Sequence, residues 1–285
     1  MRIGIIGAGK VGVTLGKYLT DAGIVVCGFY SRTKTSAVQA ADFVKTKLYE
    51  ELEDLVRASD TLFITVPDGE IGNVWDCIAE YDLTDKIICH FSGSLSSNVF
   101  SGIEHTGAAG VSIHPMYAFS DKFTSYQQFH TACLVMEGDP EAVQPMQTLF
   151  AEKLGHAVRQ IQTGDKIKYH AAAAMASNYM IALLETSMRL LAECGFSDQD
   201  SLTLLHPLVE NNVTQMLRSG TVDALTGPVE RGDIGTVQKH LDALQGGAAE
   251  PIYRDLGNVL AGLAKQKHPE WDDTAMRECF CSYGR

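Results

Sequence analysis

The chain opens Met1-Arg-Ile-Gly-Ile-Ile-Gly-Ala-Gly-Lys-Val-Gly12. Ile3 to Ile6 make a short apolar run suited to a buried parallel strand, and from Val13 to Tyr18 the pattern turns helical. Between them Gly7, Gly9 and Gly12 stand in G-x-G-x-x-G spacing. Gly7 permits the tight strand-to-helix turn, Gly9 lets a pyrophosphate approach the backbone, and Gly12 lets the helix pack closely on the strand. The helix N-terminus adds free N–H groups and a partial positive charge for phosphate. Glycine clusters also occur in ordinary turns, but here a strand precedes the cluster and a helix follows it. Gly7, Ala8, Gly9, Lys10, Val11 and Gly12 are therefore read as cofactor-binding.

The next strand, Ile24 to Phe29, ends in Tyr30-Ser31-Arg32-Thr33-Lys34. NAD-binding versions of this arrangement place an acid about 20 residues past the glycines, where it bonds the ribose 2′-hydroxyl. No acid stands here before Asp42. Ser31, Arg32 and Thr33 instead suit a 2′-phosphate, which a guanidinium can bind bidentately, so the expected cofactor is NADP(H). The competing reading makes Ser31 to Lys34 a solvated turn before a helix.

Further strands are expected near Lys47 and at Thr61–Val66, Lys86–Phe91, Gly110–Met116, Ala132–Met136 and His156–Ile161, with helices between them. Strand and helix alternate throughout residues 1–162, which predicts an α/β fold with a doubly wound parallel sheet. Three strand ends carry candidate site residues, because ligands bind at the carboxyl edge of such sheets. Val66 and Pro67 would line the cofactor, while Asp68 reads as the N-cap of a helix from about Glu70 to Tyr81. Ser92 and Ser94 flank Gly93 and would bond a substrate carboxylate or carbonyl. His114, before Pro115, is either a site residue or a structural histidine.

From residue 163 the pattern is helical to the end, with helices at about 164–194, 198–218, 234–245 and 248–267. Residues 163–285 are thus expected to form a helical domain behind a 1–162 NADP-binding domain. On the first helix Lys166, His170 and Ser177 fall within about 40° of one another, with Asn178 at the flank. The alanines at 171–174 would admit a ligand, or only a tightly packed helix. Lys166 is the expected proton donor. Near a helix N-terminus, capped by Thr163 or Asp165, and partly buried, its pKa would fall toward neutrality. An exposed first-turn lysine is the alternative. Leu225-Thr-Gly-Pro-Val-Glu-Arg-Gly-Asp233 forms a rigid turn in which Asp233 caps the next helix and Arg231 either anchors an anionic substrate or joins an ion pair.

The 285 residues carry a net charge of −12, which argues against a nucleic-acid partner. Seven scattered cysteines without a C-x-x-C argue against disulfides and a zinc site, and most read as small core residues. No signal-peptide pattern precedes the first strand, and no apolar run is long enough to span a membrane, so a cytoplasmic protein without bound metal is expected.

Ile3-Gly-Ile-Ile-Gly-Ala-Gly-Lys-Val-Gly12 with Ser31-Arg32 resembles the 6-phosphogluconate-dehydrogenase-like group of NADP oxidoreductases. Lys166-x-x-Tyr169-His170-Ala-Ala-Ala, Ser177-Asn178-Tyr179, Thr226-Gly-Pro228 and Arg231-Gly-Asp233 resemble a bacterial family with a Rossmann domain followed by a helical domain. The resemblance covers nearly the whole chain and implies a helical domain that often dimerises and a cleft between the two. Some relatives are alternative ketopantoate reductases. In ketopantoate reductases of the better-known type, a helix lysine and an asparagine one turn later bind and protonate substrate; Lys166 fits the lysine, but His170 stands at the second position. His114-Pro115-Met116 also resembles a motif of prephenate and arogenate dehydrogenases.

The expected function is an NADPH-dependent oxidoreductase reducing a small carbonyl substrate, an anionic 2-keto acid such as 2-ketopantoate, as a homodimer. Lys166, His170, Asn178 and His114 are its candidate catalytic residues, and Ser92, Ser94 and Arg231 its candidate substrate contacts. The alternatives are a non-catalytic NADP(H)-binding sensor or scaffold and a prephenate dehydrogenase-like enzyme.

Overall fold

The computed structural model describes residues 1–281, so the last four residues of the expected second domain lie outside the described residues. Each apolar run read as a strand forms one. They are β1 (Arg2–Ile6), β2 (Val25–Tyr30), β3 (Lys47–Leu48), β4 (Thr61–Ile64), β5 (Ile87–His90), β6 (Ala109–Met116), β7 (Cys133–Gly138) and β8 (Val158–Gln160). All lie in one sheet of order β3-β2-β1-β4-β5-β6-β7-β8. β1 pairs in parallel with β2 on one side and with β4 on the other. The connections therefore reverse direction at β1, which opens a crevice at the carboxyl ends of the strands.

One pairing departs from the expected all-parallel sheet: β7 runs antiparallel to β6. The reason lies in the link between them, which contains a 3-10 segment at Ser125–Thr131 but no α-helix. Without a crossover helix the chain simply turns back. Antiparallel register sets Ser112 directly opposite Glu137 and His114 opposite Val135.

Helices cover both faces of the sheet. They are α1 (Lys10–Asp21), α2 (Lys34–Val44), α3 (Leu52–Ala58), α4 (Asp68–Ile78) and α5 (Pro140–Gln147). Alternation along each strand feeds two cores. Ile3, Ile5 and Phe63 join Val13, Leu15 and Leu19 of α1 in one, and Ile6, Leu62 and Ile64 join Ile71 and Trp75 of α4 in the other. The expected helix at 164–194 is α6 (Lys166–Ala174), a π-helical turn at Met175–Tyr179 and α7 (Met180–Glu193). By compactness the chain divides into Met1–Ser177 and Asn178–Arg285, whereas the sequence pattern changes at 162/163, where the strands end. α6 thus belongs with the sheet.

The second unit holds α7, α8 (Asp198–Ser219), α9 (Thr221–Ala224), α10 (Ile234–Leu244), α11 (Ala249–Lys267) and α12 (Thr274–Cys281). The short α9 and the terminal α12 are not apparent in the sequence pattern. α12 is nonetheless part of the core, where Met276 and Phe280 pack with Val229, Val237, Leu241 and Ala261. The cysteines correct the sequence reading, since only Cys89 is buried while Cys77, Cys194 and Cys281 are exposed; all seven are free thiols. No helix among the described residues is long and apolar enough to cross a membrane.

α11 and α12 meet through a glycine: a Cβ added at Gly257 would lie 2.2 Å from the Phe280 ring. Because Phe280 is fully buried and has little room to move, Gly257→Ala should destabilise the second unit by about 1–3 kcal/mol. Denaturant unfolding checks this, and an unchanged midpoint would show that the two helices do not pack through this contact.

Candidate functional site

At the carboxyl edge of β1, Gly7 adopts φ +108° and its N–H donates to the Tyr30 carbonyl at 2.8 Å. A Cβ at Gly7 would lie 2.9 Å from the Thr65 backbone, and one at Gly12 would lie 2.5 Å from the Gly7 carbonyl oxygen and from Thr65 Oγ1. Thr65 braces the turn, its hydroxyl facing the carbonyls of Ile6 and Gly7 at 3.2 and 3.1 Å. At Gly9, the N-cap of α1, a Cβ would meet nothing within 4 Å. Two glycines are therefore demanded by packing, whereas Gly9 opens the helix N-terminus to solvent. This is the cradle a pyrophosphate fits. Ala8 is buried beneath it, Lys10 is exposed on its rim and Val11 is half-buried.

Ser31, Arg32 and Thr33 follow the end of β2 at the same edge, with Arg32 and Thr33 exposed. Arg32 makes an exposed ion pair with Glu70 at 3.2 Å, the kind of contact that contributes at most about 1 kcal/mol and yields easily to a phosphate. Val66 is half-buried and Pro67 exposed beyond β4.

A second cluster stands at the ends of β5 and β6. Lys166 is fully buried, and its Nζ donates to Ser112 Oγ at 2.6 Å. Two residues on from Ser112, and so on the same face of β6, His114 shares a 2.8 Å hydrogen bond between Nδ1 and the Tyr169 hydroxyl. The rings of His114 and His170 lie 5.7 Å apart. Both close over Gly93, where a Cβ would come within 2.4 Å of His170 Nδ1 and 2.8 Å of His114 Nε2. His170 Nδ1 is buried with no hydrogen-bond partner among the described residues.

Asp68 corrects the sequence reading. Pro67, not Asp68, is the N-cap of α4, and no side chain caps that helix. The Asp68 carboxylate instead accepts hydrogen bonds from the hydroxyls of Ser92 at 2.7 Å and Ser94 at 2.8 Å. The two serines expected to bind substrate are thus held by a carboxylate. Of the two expected caps of α6, Asp165 rather than Thr163 takes the position. It makes no side-chain capping bond, and the Thr163 hydroxyl donates to Glu137 at 3.0 Å.

Burial dominates the electrostatics. It lowers Lys166 to a pKa of about 8, with Glu137 and Asp68 opposing the shift. It likewise lowers His114 and His90 to about 4, and the Lys166 charge pushes both the same way. Tyr169 rises to about 12. Near neutral pH the cluster therefore presents the Lys166 ammonium, ready to lose its proton, beside the neutral imidazoles of His114 and His90.

The structure brings together Lys166, His170, His114, Ser92 and Ser94, and adds Ser112, Tyr169, Asp68 and Glu137. Ser177 and Asn178, expected to align with Lys166, stand in the π turn that follows α6. The π turn at 175–179 takes up an extra residue and ends the progression of about 100° per residue on which their alignment rests. Both are exposed, the Ser177 hydroxyl donates to the Ala173 carbonyl, and Asn178 begins the second unit. Arg231 is exposed in the second unit, and its guanidinium makes no hydrogen bond or ion pair among the described residues. Beside it Asp233 caps α10 as expected, accepting from the Thr236 N–H at 3.0 Å.

Residues 1–115 match the Rossmann-like domain family, and residues 132–259 match the family described as Domain of unknown function (DUF2520). The second match begins within the sheet, at the start of β7, and runs into α11. No curated protein matches the sequence. Among solved structures it is similar to protein TM1727 from Thermotoga maritima, with TM-score 0.73 and 24% identity over 93% of this chain and 99% of that one. It is also similar to a reductive aminase from Aspergillus terreus in complex with NADPH and ethyl-5-oxohexanoate, with TM-score 0.67 and 16% identity over 98% and 99%. A third likeness is to an imine reductase from Pseudomonas sp., with TM-score 0.65 and 16% identity over 93% and 97%. At these identities the likenesses establish the fold.

The buried imidazoles generate a prediction. His114 and His90 should stay neutral from pH 8 down to 5 and take up protons only near pH 4. Between about 4 and the ordinary histidine value the unfolded chain then binds more protons than the folded one, so stability falls as pH drops through that window. Imidazole NMR titration checks both groups; a His114 midpoint at 6.5 would contradict its burial.

Proposed function

We propose that this chain is an NADPH-dependent oxidoreductase that reduces a small carbonyl compound, with Lys166 as the proton donor. The observation that carries this reading is the buried Lys166 ammonium, its pKa lowered to about 8 beside the uncharged His114 and His90 on the sheet edge that also bears the glycine cradle. The Aspergillus terreus reductive aminase, which has this fold, is an NADPH complex.

Gly7, Gly9 and Gly12, with the α1 N-terminus, would hold the pyrophosphate. Ser31, Arg32 and Thr33 would hold the 2′-phosphate, and Val66 and Pro67 would flank the cofactor. Bound NADPH would supply a hydride. Lys166 gives the proton from Nζ to the carbonyl oxygen, a role suited to an ammonium that loses its proton near pH 8. Ser112 fixes Nζ, and His170, whose Nδ1 is uncommitted, and His114, held by Tyr169, orient the substrate. A 2-keto acid, 2-ketopantoate first among them, fits the proton donor. A non-catalytic sensor has no use for a lysine so placed.

Asp68 favours a second reading, an imine substrate. A carboxylate at the Ser92–Ser94 loop attracts a protonated nitrogen and repels the carboxylate of a keto acid. An iminium already carries its proton and takes none from Lys166.

The exposed apolar residues of α7 and α8, among them Ile181, Leu183, Leu208 and Leu217, support a homodimer through the second unit. An apolar hollow of about 220 Å³ lined by Leu183, Leu190, Ile252 and Leu256 adds to that face. Light scattering should give twice the chain mass, and a monomer at micromolar concentration would end this part of the proposal.

NADPH absorbance at 340 nm, followed with 2-ketopantoate, other 2-keto acids and cyclic imines and with NADH in parallel, tests the enzyme. Lys166→Met should cut carbonyl reduction by about 100-fold or more while leaving NADPH binding intact. If it spares imine reduction, the second reading holds. NADPH binding without turnover on any compound would favour the sensor.

A further inference from the structure

We infer that Glu137 is a positioning residue for the proton donor, its buried carboxylate fixing the start of the Lys166 helix and the loop after β5 against the strand pair on which the Lys166 ammonium rests. The inference rests on the role given to Lys166 under the proposed function.

Glu137 is an acid in the otherwise apolar strand Cys133–Gly138, and it is 3% exposed. Its carboxylate accepts three hydrogen bonds. The Ser97 N–H donates to Oε1 at 2.8 Å, and the hydroxyls of Ser97 and Thr163 donate to Oε2 at 2.8 and 3.0 Å. Ser97 follows the Ser92-Gly93-Ser94 loop, and Thr163 stands three residues before Lys166. One carboxylate therefore ties together the two segments that bear the site. Across the antiparallel pair it lies directly opposite Ser112, the residue that accepts from Lys166 Nζ. On the other side of Ser112 the register places His90 of β5. A row of three buried polar residues thus crosses three adjacent strands, with the ammonium seated on its middle member.

Packing alone does not call for a charge here, because a buried charge is often replaced by apolar residues without loss of stability. A negative charge does favour the ammonium form of a neighbouring buried lysine. The titratable groups facing Lys166 are Glu137 from β7, Asp68 from the start of α4, His90 from β5 and His114 from β6, with the Tyr169 ring on its own helix. Of the two acids, Asp68 is exposed and Glu137 is buried, so solvent screens Glu137 less.

Glu137→Gln keeps the volume and an acceptor oxygen and removes the charge. In the full chain labelled with [13C]lysine, the Lys166 Cε signal, assigned by its loss in Lys166→Met, reports the protonation of Nζ. The midpoint should fall by about one pH unit or more in Glu137→Gln. Glu137→Asp, which keeps the charge, should move it by less than half as much. The alkaline fall of carbonyl reduction should shift with the midpoint. An unmoved midpoint in Glu137→Gln, or an equal drop in Glu137→Asp, overturns the inference. Should Glu137→Gln fail to fold, Thr163→Val removes the tether while keeping the charge; it should leave the midpoint in place and slow turnover about tenfold, and unchanged turnover overturns the tether. The titration needs no substrate. A shifted midpoint in a protein that reduces nothing keeps this inference and ends the reductase reading, and turnover with an unmoved midpoint does the reverse.

Discussion

The hydrogen bond from Lys166 Nζ to Ser112 Oγ, 2.6 Å long and out of reach of solvent, is the constraint around which the chemical end of the sheet is arranged. A buried ammonium is costly unless it is hydrogen-bonded and its charge is answered. Ser112 provides the bond, while Glu137 and Asp68 provide the charge. Burial still wins, which is why Lys166 settles near 8 rather than at the ordinary lysine value. The same dry surroundings, with the lysine's own charge, keep His114 and His90 neutral. Gly93 is the steric counterpart, since any side chain there would occupy the space of the two imidazoles.

The sheet places this cluster where the fold can use it. Because the strand order reverses at β1, the glycine cradle opens at the carboxyl edge. β6 continues to Met116, while its partner β5 ends at His90 opposite Ser112. The extra length carries His114 past the end of its neighbour and into the site.

Much of this was legible in the sequence because the signals were local. The central strands show as apolar runs, while the two edge strands, Lys47–Leu48 and Val158–Gln160, show through their place in the alternation, and the glycine spacing marks Gly7 and Gly12, which packing demands, and Gly9, which leaves space. Lys166 could be singled out from its position at a helix start and its alternation with His170. The remainder depended on long-range register. Asp68 at a helix start looks like a cap, and only folding brings it to serines 24 and 26 residues away. Glu137 opposite Ser112 requires the antiparallel turn between β6 and β7, which strand–helix alternation does not reveal. The one signal in the sequence was an acid inside an apolar strand. The π turn in which Ser177 and Asn178 stand is likewise invisible to a uniform helical period.

The most direct test of the central claim is the pH dependence of kcat/KM for NADPH-dependent carbonyl reduction by the unaltered protein. If the Lys166 ammonium is the proton donor, the rate is level below about pH 8 and falls tenfold per unit above it. A rate that stays level from pH 7 to 10 would mean that the proton comes from elsewhere, and Lys166 would then be only a buried lysine on a dinucleotide-binding sheet.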